Sequence, residues 1–109
     1  MKSLEWLGDS LACIRRFPDE AKSEAGYQLE RVQAGKEPSD FKHMASVGLG
    51  VQEIRVRAGG AFRVLYVAKF SEAVYVLHAF QKKSSQTSKA DIELARQRFK
   101  SLIQERKRK

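Results

Sequence analysis

Apolar positions follow a helical period near the start of the chain. Four residues recur at i, i+4, i+8 and i+11 and so share one face of a helix: Ala21, Ala25, Leu29 and Val32. Pro18 stands at the start of this pattern, and Gly35 stands where a C-terminal cap belongs. A shorter helical segment that Asp9 or Ser10 can cap comes before it. The pattern predicts an αα-hairpin, preceded by a short strand within residues 2–7.

The period changes to two from Val51 onward. Ile54 and Val56 point to one side of a strand, and the charged residues between and beside them point to the other: Glu53, Arg55 and Arg57. This alternation predicts a strand with one solvent-exposed face. The glycines at 59 and 60 supply the backbone freedom for a hairpin turn.

Two further strands are predicted downstream of that turn. Residues 62–70 are apolar on both faces apart from Arg63 and Lys69, which is typical of a central strand, and residues 74–81 repeat the pattern. A shorter strand is predicted within residues 41–44. Short connections join the three long strands, so they should form an antiparallel meander.

The last segment has the clearest helical pattern. Ser88 can cap it, with Asp91 three residues on, and an apolar stripe follows: Ile92, Ala95, Phe99, Leu102 and Ile103. About four residues at the C-terminus are expected to fray. The sequence therefore predicts an α+β fold in one domain over residues 1–109, in which an antiparallel sheet packs against an N-terminal αα-hairpin and a C-terminal helix.

Charge is distributed unevenly between the two halves of the chain. Residues 1–50 hold seven Lys and Arg against eight Asp and Glu, whereas residues 51–109 hold fourteen against five, so the second half carries the whole excess of the net charge of +8. Such an asymmetry favours a polyanionic partner such as nucleic acid. No apolar run is long enough to span a membrane, and we expect a cytoplasmic protein without a membrane partner.

Several kinds of chemistry have no sequence motif in this chain. The glycine-rich nucleotide-binding motifs, a Cys/His pair at metal spacing and the serine-hydrolase motif are all missing. The only cysteine, Cys13, is predicted to be a small core residue. His78 lies in an apolar strand, where a hydrogen-bonded core histidine is expected. His43 lies in an irregular region and is a candidate general base.

Basic side chains cluster on the predicted meander. Arg55 and Arg57 share a strand face, Arg63 follows the first turn, and Lys82 and Lys83 stand where the third strand ends. Guanidinium groups bind phosphate oxygens bidentately and can stabilise the charge of a pentacoordinate phosphorus. Phe80 offers a face for an unstacked base or belongs to the core under the last helix.

The order of these elements and their residues resembles the phage-related HigB branch of the RelE/ParE toxin superfamily. The resemblance runs from Leu4 to about Leu102, and its most specific parts are F-R-V-L-Y at residues 62–66 and H-A-F-Q-K-K-S at residues 78–84. It implies a RelE-like fold and the toxin of a type II toxin–antitoxin system, most often a ribosome-dependent endonuclease that cleaves mRNA without a metal or other cofactor. It also implies a cognate antitoxin, usually a helix-turn-helix protein similar to HigA, with the ribosome and mRNA as further partners.

The resemblance also assigns roles to the basic residues. The catalytic residues would be Arg55, Arg63 and Lys83, and the RNA-binding residues would be Arg57, Phe80 and Lys82. Some RelE-type nucleases have a lysine where this chain has Glu53, so no conventional acid/base pair is visible. Two alternatives stay open: a ParE-like inhibitor of a protein target such as DNA gyrase, and a non-catalytic RNA-binding regulatory module.

Overall fold

The computed structural model describes residues 1–108, which form five strands and three helices. The elements follow in the order β1 (Ser3–Trp6), α1 (Ser10–Arg15), α2 (Asp19–Gln33), β2 (Phe41–His43), β3 (Val51–Arg57), β4 (Ala61–Val67), β5 (Ala73–Lys82) and α3 (Lys89–Lys107). This order confirms the predicted α+β class, the αα-hairpin and the C-terminal helix, and it is consistent with a RelE-like fold. No described helix is long and apolar enough to span a membrane.

The sheet is mixed, because a parallel edge strand adds to the predicted antiparallel meander. Its strand order is β1-β5-β4-β3-β2. The meander β3-β4-β5 is antiparallel and β4 is central, as predicted, but β1 pairs in parallel with the start of β5, from Ser3 opposite Ala73 to Trp6 opposite Val76. Alternation in a four-residue strand carries no information about direction, so only the packing of the whole chain decides which edge β1 joins.

Helices cover both faces of the sheet. The predicted stripe of α2 is buried along its whole length against one face, where it meets Ile54, Val64 and Val76. The opposite face packs under α3, where Leu65, Leu77 and Leu102 belong to a second apolar cluster. Because β4 has helices over both of its faces, six of its seven residues are buried.

The backbone geometry agrees with the signals predicted for the end of α2, the start of α3 and the hairpin turn. Gly35 has φ 84° directly after the C-cap of α2, and Gly59 has φ 73° in the turn between β3 and β4; both values are in the left-handed region that glycine tolerates best. Ser88 caps α3, because the backbone N–H of Asp91 donates to its hydroxyl at 3.1 Å.

The last helix extends into the segment that the sequence predicts to fray. α3 continues to Lys107, Lys109 lies outside the described residues, and fraying of the last residues stays a prediction. Arg106 pairs with Glu72, and its guanidinium carbon lies 3.7 Å from the centre of the Phe70 ring. Basic residues in the last turn also complement the helix dipole. The final turn is therefore held by tertiary contacts.

The packing under α3 can be tested with two leucines of opposite exposure. Leu65 is completely buried on β4, and Leu49 is 79% exposed in the loop before β3. Leu65→Ala should lower the free energy of unfolding by about 2–5 kcal/mol, because it leaves a cavity between the sheet and α3. Leu49→Ala should change it by no more than about 0.5 kcal/mol. Urea unfolding followed by circular dichroism measures both, and equal effects would contradict this packing.

Candidate nucleic-acid interface

The sheet register brings the predicted cationic residues onto one face. Arg55 lies opposite Arg63, and Arg63 lies opposite Phe80, so these three residues form a row across β3, β4 and β5. We call them the arginine row. Leu65, two residues beyond Arg63, packs under α3, so the arginine row lies on the α3 side of the sheet.

Further basic residues flank the arginine row on the same face. Arg57 and Lys82 both pair with Ala61 and form the next row across the sheet. Arg57 is exposed and Lys82 is half-buried, whereas Lys83 follows the end of β5 and is exposed. The structure thus brings together five of the six predicted site residues on neighbouring positions of one face, with Lys83 next to them in the chain.

Glu53 is the partner of the arginine row that the sequence analysis did not identify. The predicted solvent-exposed face of β3 is wrong at this position, because Glu53 is only 2% exposed. Its Oε1 lies 3.4 Å from Nε of Arg63 and 3.9 Å from Nε of Arg55. Thr87, in the loop before α3, donates its hydroxyl to Oε2 at 3.3 Å and helps to keep the carboxylate from solvent.

Arg63 is buried as deeply as a core residue. It is 5% exposed, and Nη1 donates to the carbonyl of Phe62 at 3.0 Å. Burial lowers the pKa of Arg63 below its usual value, and the Glu53 carboxylate opposes that shift. Arg63 therefore remains a cation, held beneath the surface that Arg55 and Arg57 present to solvent.

Two guanidinium N–H groups in this cluster have no hydrogen-bond acceptor among the described residues. Nε of Arg55 and Nε of Arg63 are buried, and neither has an aligned hydrogen-bond partner among residues 1–108. Each lies within ion-pair distance of Glu53 without the geometry of a hydrogen bond. A second carboxylate, that of Asp40, lies 3.9 Å from Nη1 of Arg55 and is half exposed. The two carboxylates therefore offset part of the positive charge of Arg55, Arg57 and Arg63.

A cleft of about 450 Å³ opens beside the arginine row. It lies between the turn that follows β2 and the loop between β5 and α3, and its walls include His43, Glu53, Arg55, Lys82 and Thr87. The imidazole of His43 is exposed, and its Nδ1 is 3.4 Å from the amide nitrogen of Gln52. The cleft thus combines cations with an accessible imidazole, a combination that only the tertiary structure reveals.

Phe80 has contacts that support the core alternative of the sequence analysis. Its ring stacks on the imidazole of His78, with ring centres 5.2 Å apart, and packs at the edge of the apolar cluster under α3. The ring is half-buried. Its stacking on a base stays a prediction.

Cys13 and His78 lie closer together than the sequence suggested. One ligand atom from each of Asp9, Cys13 and His78 lies within 4.8 Å of the others, although no metal spacing links these residues along the chain. Cys13 is half-buried, and burial together with the Asp9 carboxylate raises the pKa of its thiol. The fold thus brings candidate ligand atoms to Cys13 that spacing along the chain does not predict.

The fold and this basic site define the class of protein. An α+β domain with a RelE-like arrangement carries a cationic patch on the sheet face beside its last helix.

The sequence model of the family described as Phage derived protein Gp49-like (DUF891) matches residues 12–100. The chain belongs to this family, which is part of the broad RelE/ParE-like toxin superfamily. Membership is consistent, at a coarse level, with the toxin of a toxin–antitoxin pair and suggests an antitoxin partner. No curated protein matches the chain.

The dependence of Arg63 on Glu53 gives a stability test. Glu53→Gln keeps the side-chain shape but removes the charge that compensates a buried guanidinium, so it should lower the free energy of unfolding by about 3–5 kcal/mol. Glu93→Gln is the matched control, because Glu93 pairs with Arg96 at 2.7 Å on the surface of α3 and should lose less than about 1 kcal/mol. Thermal and urea unfolding measure both variants. A Glu53→Gln variant as stable as the control would contradict this account.

Proposed function

We propose that this protein is the toxin of a type II toxin–antitoxin system and a ribosome-dependent mRNA endonuclease similar to the HigB branch. The observation that carries the proposal is the concentration of basic side chains on one face of the sheet, beside a cleft of about 450 Å³. Arg55 and Lys82 line this cleft, and Arg57 lies on the same face. The phosphates of a single-stranded RNA entering the cleft would meet these cations.

The proposed reaction is attack of the RNA 2′-oxygen on the adjacent phosphorus. The 2′-hydroxyl loses its proton, the new O–P bond forms, and the bond from phosphorus to the 5′-oxygen breaks as that oxygen gains a proton. The products are a 2′,3′-cyclic phosphate and a free 5′-hydroxyl. Negative charge accumulates on the non-bridging phosphate oxygens in the transition state, and fixed guanidinium groups stabilise it. No metal ion is needed for this step.

The proposed role of each basic side chain depends on how deeply that side chain is buried. Arg55, half-buried at the cleft, and Lys83, exposed at the strand end, contact the scissile phosphate. Arg63 lies beneath them and acts through its charge, with Glu53 holding its guanidinium in place. Arg57 and Lys82 bind flanking phosphates of the mRNA, because they form the next row on the same face.

His43 is the proposed proton-transfer group. It borders the same cleft as Arg55 and Lys82, and its side chain is exposed. An imidazole exchanges protons readily near neutral pH. The carboxylate of Glu53 is less suited to this role, because the Arg63 guanidinium and the Thr87 hydroxyl enclose it.

The antitoxin partner is proposed to be a helix-turn-helix protein similar to HigA. The support for it is the family membership together with the resemblance to the HigB branch. An open reading frame for such a protein beside the gene, whose product suppresses toxicity and co-purifies with this chain, is the expected finding. Neutralisation by a protein of another class would leave the endonuclease proposal standing and overturn only this part.

Induced expression tests the endonuclease proposal. Expression of the chain should arrest growth, and mapping of RNA 5′ ends should show cuts within translated codons. The double variant Arg55→Gln with Lys83→Gln should reduce cleavage by about 10²-fold or more, because both groups stabilise the charge on phosphorus. His43→Gln should also reduce cleavage in the same assay.

The matched control removes two positive charges elsewhere. Lys36 and Lys100 are exposed and lie outside the cationic face, so Lys36→Gln with Lys100→Gln should cut mRNA as the parent does. Growth arrest with intact mRNA, accompanied by DNA damage, would instead indicate a protein target such as gyrase. RNA binding without arrest would indicate a regulatory module. Either outcome overturns the proposal.

Salt dependence tests the contacts to flanking phosphates. The logarithm of the RNA-binding constant should fall linearly with the logarithm of salt concentration, with a slope of about −0.7 per phosphate contact on single strands. Arg57→Gln and Lys82→Gln should each make the slope shallower by about 0.7. Fluorescence anisotropy with a short single-stranded RNA measures it. An unchanged slope in both variants would place the contacts elsewhere.

A further inference from the structure

The cluster of Asp9, Cys13 and His78 combines three ligand types that transition metals bind. One atom from each residue lies within 4.8 Å of the other two. Asp9 is the N-cap of α1, and Cys13 lies four residues further on, so both are on the same side of that helix. His78 is on β5, which α1 contacts.

The hydrogen bonding of His78 is that of a metal ligand. Nε2 lies 2.7 Å from Oδ1 of Asp91, and because an ionised carboxylate only accepts, Nε2 carries the proton and donates it. In the neutral form of the ring, Nδ1 then has the lone pair. The side chain is 7% exposed, and Nδ1 is buried without a hydrogen-bond partner among residues 1–108. A histidine that binds a metal typically donates its other N–H to a carboxylate in this way.

Asp9 and Cys13 also have outer contacts that suit ligands. Oδ1 of Asp9 accepts from Nη2 of Arg98 at 2.7 Å, which leaves Oδ2 for another partner. Cys13 Sγ accepts from Nη2 of Arg16 at 3.4 Å, and such donors stabilise a bound thiolate. The side chain of Asp9 is 56% exposed and Cys13 is half-buried, so both have space to rotate.

We propose that Asp9, Cys13 and His78 bind one Zn²⁺ ion, with His78 coordinating through Nδ1 and water completing the tetrahedron. Mixed sulfur, nitrogen and oxygen ligands suit Zn²⁺ better than Mg²⁺ or Ca²⁺. Tetrahedral Zn²⁺ holds its ligand atoms roughly 3.5 Å apart, so the side chains close in by about 1 Å. The cysteine thiol loses its proton when the ion binds.

The ion would join three parts of the fold. Asp9 and Cys13 belong to the start of α1, His78 belongs to β5, and Asp91 carries the connection to the first turn of α3. The water ligand would leave one exchangeable position on the ion. The site is separate from the phosphodiester chemistry proposed above. The ring of Phe80 stacks on His78, so the ion would also fix the end of the arginine row.

Cobalt and zinc titrations of the full-length chain, released from any histidine tag, test this site. Co²⁺ should bind with a stoichiometry of one and give a thiolate-to-cobalt charge-transfer band together with the intense visible bands of tetrahedral coordination. Zn²⁺ should abolish both and raise the melting temperature. Cys13→Ser should remove the charge-transfer band, and His78→Gln and Asp9→Asn should each weaken Co²⁺ binding at least tenfold.

The other histidine provides the matched control. His43→Gln should keep the full cobalt spectrum, because His43 is on β2 and outside the cluster. Circular dichroism establishes that each variant is folded, and if His78→Gln fails to fold, Cys13→Ser and Asp9→Asn decide the question. Absence of stoichiometric Co²⁺ binding, a spectrum without tetrahedral or thiolate features, or a spectrum that survives Cys13→Ser overturns the proposal.

Discussion

A buried cation on the central strand constrains much of this structure. Arg63 lies on β4, which has helices over both of its faces and a strand on each side. An uncompensated charge there would be costly. The carboxylate of Glu53 on β3 compensates this charge. Thr87, in the loop before α3, donates its hydroxyl to the same carboxylate. This pair links β3 to β4, and the Thr87 hydroxyl links the loop before α3 to the same carboxylate.

The same constraint accounts for the chemical character of the cationic face. Glu53 and Asp40 offer two carboxylates to three arginines, Arg55, Arg57 and Arg63, so one positive charge remains in excess after the internal pairing. Because the helix α3 covers the adjoining part of the face, this excess charge is concentrated at a cleft. A cationic surface thus lies beside the cleft, above the more deeply buried Arg63.

The histidines divide between two different environments. His43 borders the cleft and is exposed, whereas His78 is buried, donates to Asp91 and has no hydrogen-bond partner for Nδ1 among residues 1–108. The ring of Phe80, a member of the arginine row, stacks on His78. The arginine row and the cluster around Cys13 are therefore neighbours in the fold, although different kinds of chemistry are proposed for them.

The sequence by itself determined the local structure and the residue types of the site. The apolar period and the capping residues predicted α2, α3 and the meander. These signals depend on neighbours along the chain, and the burial of α2 and β4 and the hydrogen bond to Ser88 agree with them. The tertiary structure decided the parallel pairing of β1, the burial of Glu53 and the approach of Cys13 to His78. These features depend on which strand edges and loops meet. Glu53 is 34 positions from Thr87, and Cys13 is 65 positions from His78. Alternation or spacing along a chain holds no information about contacts at such separations.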